Sequence, residues 1–210
     1  MQLRAVIFDY GMVLSGEPDL QAKMEIARRL KLPADKAIQL YMKYRKEYDQ
    51  GIFTGLEYWR KTLIDAGQQP TGAEVAEANA VDAQMWTCFD LQLLDWQRAV
   101  KARGLKTAIL SNMGDAVRES IERSFAWLSE FDVRVWSYEL KIIKPDAAIF
   151  RHTLDTLGIE PGVALFLDDI AENVEAARAL GMRAIQYKNF ARLRDDLIAA
   201  GLDGELPLPE

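Results

Sequence analysis

At 210 residues, half of them apolar, the chain is long enough for one large domain or for one domain carrying a smaller insertion. Its formal charge of −6, with both signs interspersed, forms no basic stripe, which excludes a nucleic-acid or membrane-surface partner from the expected reading. A single cysteine, Cys88, precludes an internal disulfide, and a single histidine, His152, leaves thiol and zinc chemistry poorly supplied.

In chain order, the first predicted element is a strand over Leu3 to Phe8, reached without a charged and then apolar leader. The longest apolar runs, such as Val163 to Leu167, are strand-sized, so the expectation is a cytoplasmic protein. From about residue 18 to 86 the periodicity is helical with no convincing strand, which reads as an inserted subdomain. In one of its helices Ala37, Tyr41, Tyr44 and Tyr48 fall on one face, a packing stripe. Thr54-Gly55-Leu56-Glu57 fits a capping box that opens another helix. Cys88, beside Met85, Trp86 and Phe89, reads as a small buried hydrophobe.

Beyond residue 90, helical segments alternate with strands at Thr107 to Leu110, Val133 to Trp136, Val163 to Leu167 and Arg183 to Tyr187. Near-continuous apolar strands are expected where both faces of a parallel sheet are covered, so this part reads as a Rossmann-like, doubly wound α/β core. His152 lies within a helical segment and is expected at the surface or half-buried. The tail from Gly201 to Glu210, with Pro207 and Pro209, reads as an exposed end.

Ligands of open α/β sheets bind outside the carboxyl ends of the strands. Four sets of residues follow strands or strand-like segments here: Asp9-Tyr10-Gly11-Met12-Val13, Ser111-Asn112, Ile143-Lys144-Pro145-Asp146 and Asp168-Asp169. Taken singly, each is explained by a helix cap, a turn or a solvated loop. Together they bring several carboxylates to one sheet edge, where they repel unless a cation neutralises them, and an Asp-rich oxygen site suits Mg²⁺.

With Val6-Ile7-Phe8-Asp9, Ile109-Leu110-Ser111-Asn112, Lys144-Pro145-Asp146 and Phe166-Leu167-Asp168-Asp169 in this order, continuing through Asn173, Ala177 and Gly181, the sequence resembles the haloacid dehalogenase superfamily. The resemblance spans essentially the whole chain. It implies a core domain from residues 1–15 and 89–210, with residues 16–88 as a helical cap of the subfamily I kind. It further implies Asp9 as nucleophile, with Asp9, the Gly11 carbonyl, Asp168 and Asp169 around Mg²⁺. Ser111, Lys144 and the backbone N–H groups about Tyr10, Gly11 and Asn112 would hold the phosphoryl group. Cap residues Tyr44, Tyr48, Phe53 and Trp59 are candidates for substrate contact or for packing.

One position departs from the commonest phosphatase pattern. Gly11 stands where a second Asp serves as general acid and base, a loss typically of about 10²–10⁴-fold in rate. A subgroup carrying Asp-x-Gly-Asn, which includes α-glucose-1-phosphate phosphatases, looks most similar, with Met12 here in place of that asparagine. The implied function is a Mg²⁺-dependent phosphatase for a small phosphorylated metabolite such as a sugar phosphate, acting as a monomer or homodimer. The alternatives are a 2-haloacid dehalogenase, or a non-catalytic member that binds a ligand or partner.

Overall fold

Alternation along the first strand decides how the core is built. In β1 (Ala5–Phe8) every residue is buried: Val6 and Phe8 join one apolar cluster, Ala5 and Ile7 another. The period of two thus feeds two helix layers from one strand. The computed structural model describes residues 2–209.

β1 is the centre of a five-stranded, all-parallel sheet of order β3-β2-β1-β4-β5, with β2 at Lys106–Ser111, β3 at Val133–Trp136, β4 at Ala164–Asp168 and β5 at Arg183–Gln186. Phe8 lies opposite Ile109 of β2 on one side and Leu167 of β4 on the other. The strand order therefore reverses at β1, and the crevice beyond its carboxyl end is where an open sheet of this kind places a ligand.

Between β1 and β2 lie α1 (Leu20–Leu30), α2 (Ala34–Lys43), α3 (Arg45–Asp49), α4 (Gly55–Asp65), α5 (Gly72–Met85) and α6 (Leu91–Ala102). The first five share an apolar cluster of their own, around Ile26, Leu30, Tyr48, Tyr58, Trp59 and Leu63, while Leu93, Leu94, Trp96 and Val100 of α6 join the sheet's core. No strand occurs among the described residues of this insertion. The capping box at Thr54 forms as expected, and Thr71 with Glu74 makes a second at the start of α5.

The tyrosine stripe does not ride on one helix. The chain breaks at Tyr44 (φ −117°, ψ 11°), so Ala37 and Tyr41 belong to α2 and Tyr48 to α3. The break lets the 48–51 segment turn onto the core. Gly51 has φ +68°, and a Cβ there would lie 2.5 Å from the carbonyl oxygen of Tyr138, so only glycine fits. Gly114 is likewise covered by the ring of Tyr48, whose Cζ would be 2.1 Å from an added Cβ.

The remaining helices are α7 (Asp115–Ser124), α8 (Ser137–Leu140), α9 (Ala147–Leu157), α10 (Ala171–Ala179) and α11 (Phe190–Ala199). After α11 the tail corrects the sequence reading. Leu202 and Leu206 are buried in the core, and the Trp96 indole donates to the Pro207 carbonyl at 2.7 Å. Each leucine contributes roughly 1.5–3 kcal/mol of burial, and that apolar gain outweighs the turn-like composition from which an exposed end was expected. His152 is exposed, and Cys88 is only half-buried. No helix among the described residues is long and apolar enough to cross a membrane.

Candidate active site

The four sequence sets converge at the carboxyl edge of the sheet because β1 and β4 are hydrogen-bonded neighbours. The Asp9 N–H continues their ladder onto the Leu167 carbonyl at 2.9 Å, which sets Asp9 beside Asp168, the last residue of β4. Ligand oxygens of Asp9, Asp168 and Asp169 all lie within 4.8 Å of one another.

Lys144 reaches into this edge from the loop before α9. Its Nζ lies 2.8 Å from Asp9 Oδ1, 2.6 Å from Asp168 Oδ2 and 3.0 Å from the Leu110 carbonyl oxygen, so all three ammonium protons have a partner. The loop is held by a two-way clamp: Asn112 Nδ2 donates to the Lys144 carbonyl at 2.9 Å and the Lys144 N–H donates to Asn112 Oδ1 at 2.8 Å. Burial opposes the charge on Lys144, but Asp9 and Asp168 outweigh it and hold the ammonium above the ordinary lysine range.

The carboxylates are not equivalent. Asp168 is saturated, accepting from Lys144, from Asn173 Nδ2 at 3.0 and 3.1 Å, and from the Ile170 N–H at 2.8 Å. Asp9 uses Oδ1 for Lys144 and for the Tyr10 N–H at 2.7 Å, and its Oδ2 has no hydrogen-bond partner among the described residues. Asp169 is half-buried, with its carbonyl held by Gln186 Nε2 at 2.8 Å. Burial first, relieved in part by Lys144 and reinforced by Asp168, pushes the Asp9 carboxyl up to about 7. Burial and then Asp168 raise that of Asp169 as well. Three carboxylates against one ammonium leave two negative charges uncompensated, a hard-oxygen set that fits a divalent cation such as Mg²⁺.

The remaining predicted residues occupy distinct places. Ser111 ends β2 almost fully buried, and its hydroxyl has no partner among the described residues. Tyr10 to Leu14 form one wide turn, closed by the Ser15 N–H on the Tyr10 carbonyl at 2.8 Å, with Met12 at φ +58°. The Tyr10 N–H is engaged by Asp9 rather than offered to a ligand. Its ring is buried against Trp127 with the hydroxyl on the Trp86 carbonyl at 2.8 Å, because the turn directs that side chain into the core. Gly11 faces the indole of Trp86, 3.4 Å from where a Cβ would stand.

Two aromatic residues considered for substrate contact are core instead. Trp59 is fully buried, its Nε1 donating to Asp82 Oδ2 at 3.2 Å, and Tyr48 stacks on Tyr58 at 4.8 Å between ring centres. Tyr44 meets Phe53 edge-on and donates to Asp65 at 2.8 Å.

Residues 3–181 match the haloacid dehalogenase-like hydrolase family. The chain belongs to this family. Among curated proteins it is 28% identical over 229 residues to bifunctional epoxide hydrolase 2 of Mus musculus, covering 100% of this chain but only 41% of that protein. The chain thus spans about two fifths of that relative's length. It is 26% identical over 227 residues to D-ribitol-5-phosphate phosphatase of Bacteroides thetaiotaomicron, covering 93% of this chain and 97% of that one. Among solved structures, the HAD family enzyme bt-2542 of the same organism, in complex with magnesium and inorganic phosphate, shares the fold at a TM-score of 0.71. Its identity is 21%, over 89% of this chain and 94% of that one.

Within the haloacid dehalogenase-like frame, two further side chains hold the acidic residues in place. Asn173, five residues past Asp168, clamps that carboxylate, and Gln186 fixes the Asp169 backbone. Asn173 was visible as part of the fourth motif, whereas Gln186 carried no signal, because its role depends on β5 lying beside β4.

Proposed function

We propose that the protein is a Mg²⁺-dependent phosphatase acting on a small phosphorylated metabolite through an aspartyl-phosphate intermediate. The observation that carries this reading is Asp9, with one oxygen held by Lys144 and the other unpartnered, within 4.8 Å of Asp168 and Asp169. An unpartnered carboxylate oxygen at the mouth of a sheet is a nucleophile in position, and the fixed Lys144 keeps it oriented.

Asp9, Asp169 and the Gly11 carbonyl would hold the Mg²⁺, which supplies charge neutralisation for the phosphoryl oxygens. Asp168, with both oxygens engaged, acts chiefly by positioning Lys144. The free Ser111 hydroxyl donates to a phosphoryl oxygen, and Lys144 adds positive charge behind it. The helical insertion, docked on the core through Tyr48 and Gly51, serves as the cap and narrows access to small substrates. D-ribitol-5-phosphate phosphatase, one of the phosphatases among the relatives, supports sugar and polyol phosphates as the first class to assay.

A 2-haloacid dehalogenase would use the same Asp9 against carbon, but uncompensated carboxylates beside an anionic substrate disfavour that use. The test is phosphate release from a panel of sugar and polyol phosphates with and without Mg²⁺, alongside halide release from haloacids. Phosphate release that needs Mg²⁺ is expected. Halide release alone would establish the dehalogenase, and absence of both activities would favour the non-catalytic binding role.

A further inference from the structure

Phosphoryl transfer to Asp9 requires a proton for the departing oxygen, and among the described residues Gly11, Tyr10, Asp9 and Asp168 are not placed to give one. Gly11 has ordinary backbone angles (φ −63°, ψ 133°), so it is not demanded by conformation. A Cβ there would meet the Trp86 indole at 3.4 Å, an ordinary van der Waals contact, so the position lacks a carboxyl by sequence alone. Tyr10 is committed to the Trp86 carbonyl, and burial keeps its hydroxyl protonated far above neutrality. Asp9 and Asp168 are bound to Lys144.

The insertion brings one more carboxyl to the same edge. Asp49 ends α3, and its carbonyl accepts from Ser137 Oγ at 2.5 Å, while that hydroxyl accepts from the Met113 N–H at 2.9 Å. Asp49 is therefore tied to the segment that leaves Ser111. The next residue, Gln50, donates to the Lys141 carbonyl at 2.9 Å. Arg45 Nε holds Asp49 Oδ1 at 3.0 Å, Oδ2 has no partner among the described residues, and the side chain keeps 15% exposure.

We infer that Asp49 is the acid–base group of this active site, supplied by the cap in place of the carboxylate missing at Gly11. This rests on the phosphatase reading. As Asp9 bonds to phosphorus and the ester P–O bond breaks, Asp49 gives its proton to the leaving oxygen, which departs as the alcohol. Asp49 then takes a proton from the water that attacks the aspartyl phosphate, so inorganic phosphate leaves and Asp9 and protonated Asp49 are restored.

The electrostatics agree with the geometry. Burial lifts the Asp49 carboxyl to about 6, with Arg45 of the same helix opposing, Asp82 of α5 assisting and Lys144 of the core opposing. A group titrating near the working pH suits alternate donation and acceptance. Arg45, which holds this carboxyl, has its guanidinium 5.9 Å from the Trp86 ring centre, and that ring lies against Gly11.

The experiment compares kcat/KM for an alkyl phosphate and for p-nitrophenyl phosphate with Mg²⁺, in the wild type and in Asp49→Asn, since kcat/KM ends at the phosphoenzyme. For the alkyl ester a loss of roughly 10²–10⁴-fold is expected, against less than about tenfold for p-nitrophenyl phosphate, whose phenolate leaves without a proton. The fall in wild-type kcat/KM above pH about 6 should vanish with it. Equal losses on both esters, or none, would overturn the assignment. Retained binding of orthovanadate with Mg²⁺ reports that the variant is folded. Should it not fold, Asp49→Glu is expected to keep part of the alkyl activity and to shift the pH limb, and an unmoved limb would overturn the assignment equally. A wild type that releases no phosphate from either ester defeats the phosphatase reading itself, whereas an active wild type with an unchanged ester ratio defeats only Asp49.

Discussion

The molecule holds two buried ionic clusters, and they are built to opposite ends. At the sheet edge, Lys144 faces three carboxylates, one carboxylate oxygen of Asp9 is unpartnered and the Ser111 hydroxyl is free. In the insertion, Arg45 is enclosed by Asp49 and Asp82, its guanidinium lies 5.3 Å from the Tyr41 ring centre and 5.2 Å from that of Tyr48, and Tyr41 and Trp59 donate to Asp82. In the second cluster one guanidinium and neutral donors face two carboxylates, leaving one negative charge, whereas the first leaves two and lacks such neutral donors on Asp9 Oδ2. An incomplete buried cluster is costly unless a ligand completes it, so the difference separates a site from a framework. Asp49, a carboxylate of the framework with an unengaged oxygen and some exposure, is tied through its carbonyl to Ser137 of the core.

The comparison breaks first, if it breaks, at Asp9. Asp9→Asn should bring phosphate release to background while the fold survives, since Lys144 keeps Asp168 and Leu110 as partners; full turnover in that variant would remove Asp9 as nucleophile. Next in size, Asp82→Ala strips Arg45 of a buried counter-ion and should cost about 3–5 kcal/mol in denaturant unfolding. A change within about 0.5 kcal/mol would show that the insertion's cluster is not structural.

Adding Mg²⁺ sharpens the contrast from the other side. The Asp9 carboxyl rises from 3.8 to about 7 on folding without metal, so its contribution to stability is fully present below pH 3.8 and is lost as pH rises through about 7. A cation that favours the ionised form should therefore raise Tm more at pH 8 than at pH 5. At a concentration a hundred times its Kd the gain is about 2.7 kcal/mol. The same shift at both pH values would detach the metal from Asp9. The smallest effect is expected for Trp59→Phe, which removes one hydrogen bond to a charged group, about 1.5–3 kcal/mol of stability. Its kcat/KM should stay at the wild-type value, and a fall would place Trp59 in the site after all.

Much of the core was legible in the chain because the information is local there. A run such as Val6-Ile7-Phe8-Asp9 states both a strand buried on two faces and the polar residue that must emerge at its end, and the four motifs retain their order whatever lies between them. The tail misled because Gly, Asp and Pro promise exposure locally, while Leu202 and Leu206 answer to a groove formed by distant residues. The tyrosine stripe misled for a related reason: the spacing from Ala37 to Tyr48 is helical, but docking Tyr48 onto Gly114 requires a break at Tyr44.

By itself, the sequence determined the two-faced strands, the helical character of the insertion, and the acidic, seryl and lysyl groups at the strand ends, because period and order are properties of the chain. Strand pairing and docking are what make Lys144 bridge Asp9 and Asp168, bring Asn173 onto Asp168 and set the Trp86 indole against Gly11. Docking also brings the Asp49 carbonyl onto Ser137 of the core. Each of these is a distance between residues far apart in sequence, set by how β4 pairs with β1 and how the insertion docks, and side-chain periodicity carries no record of either.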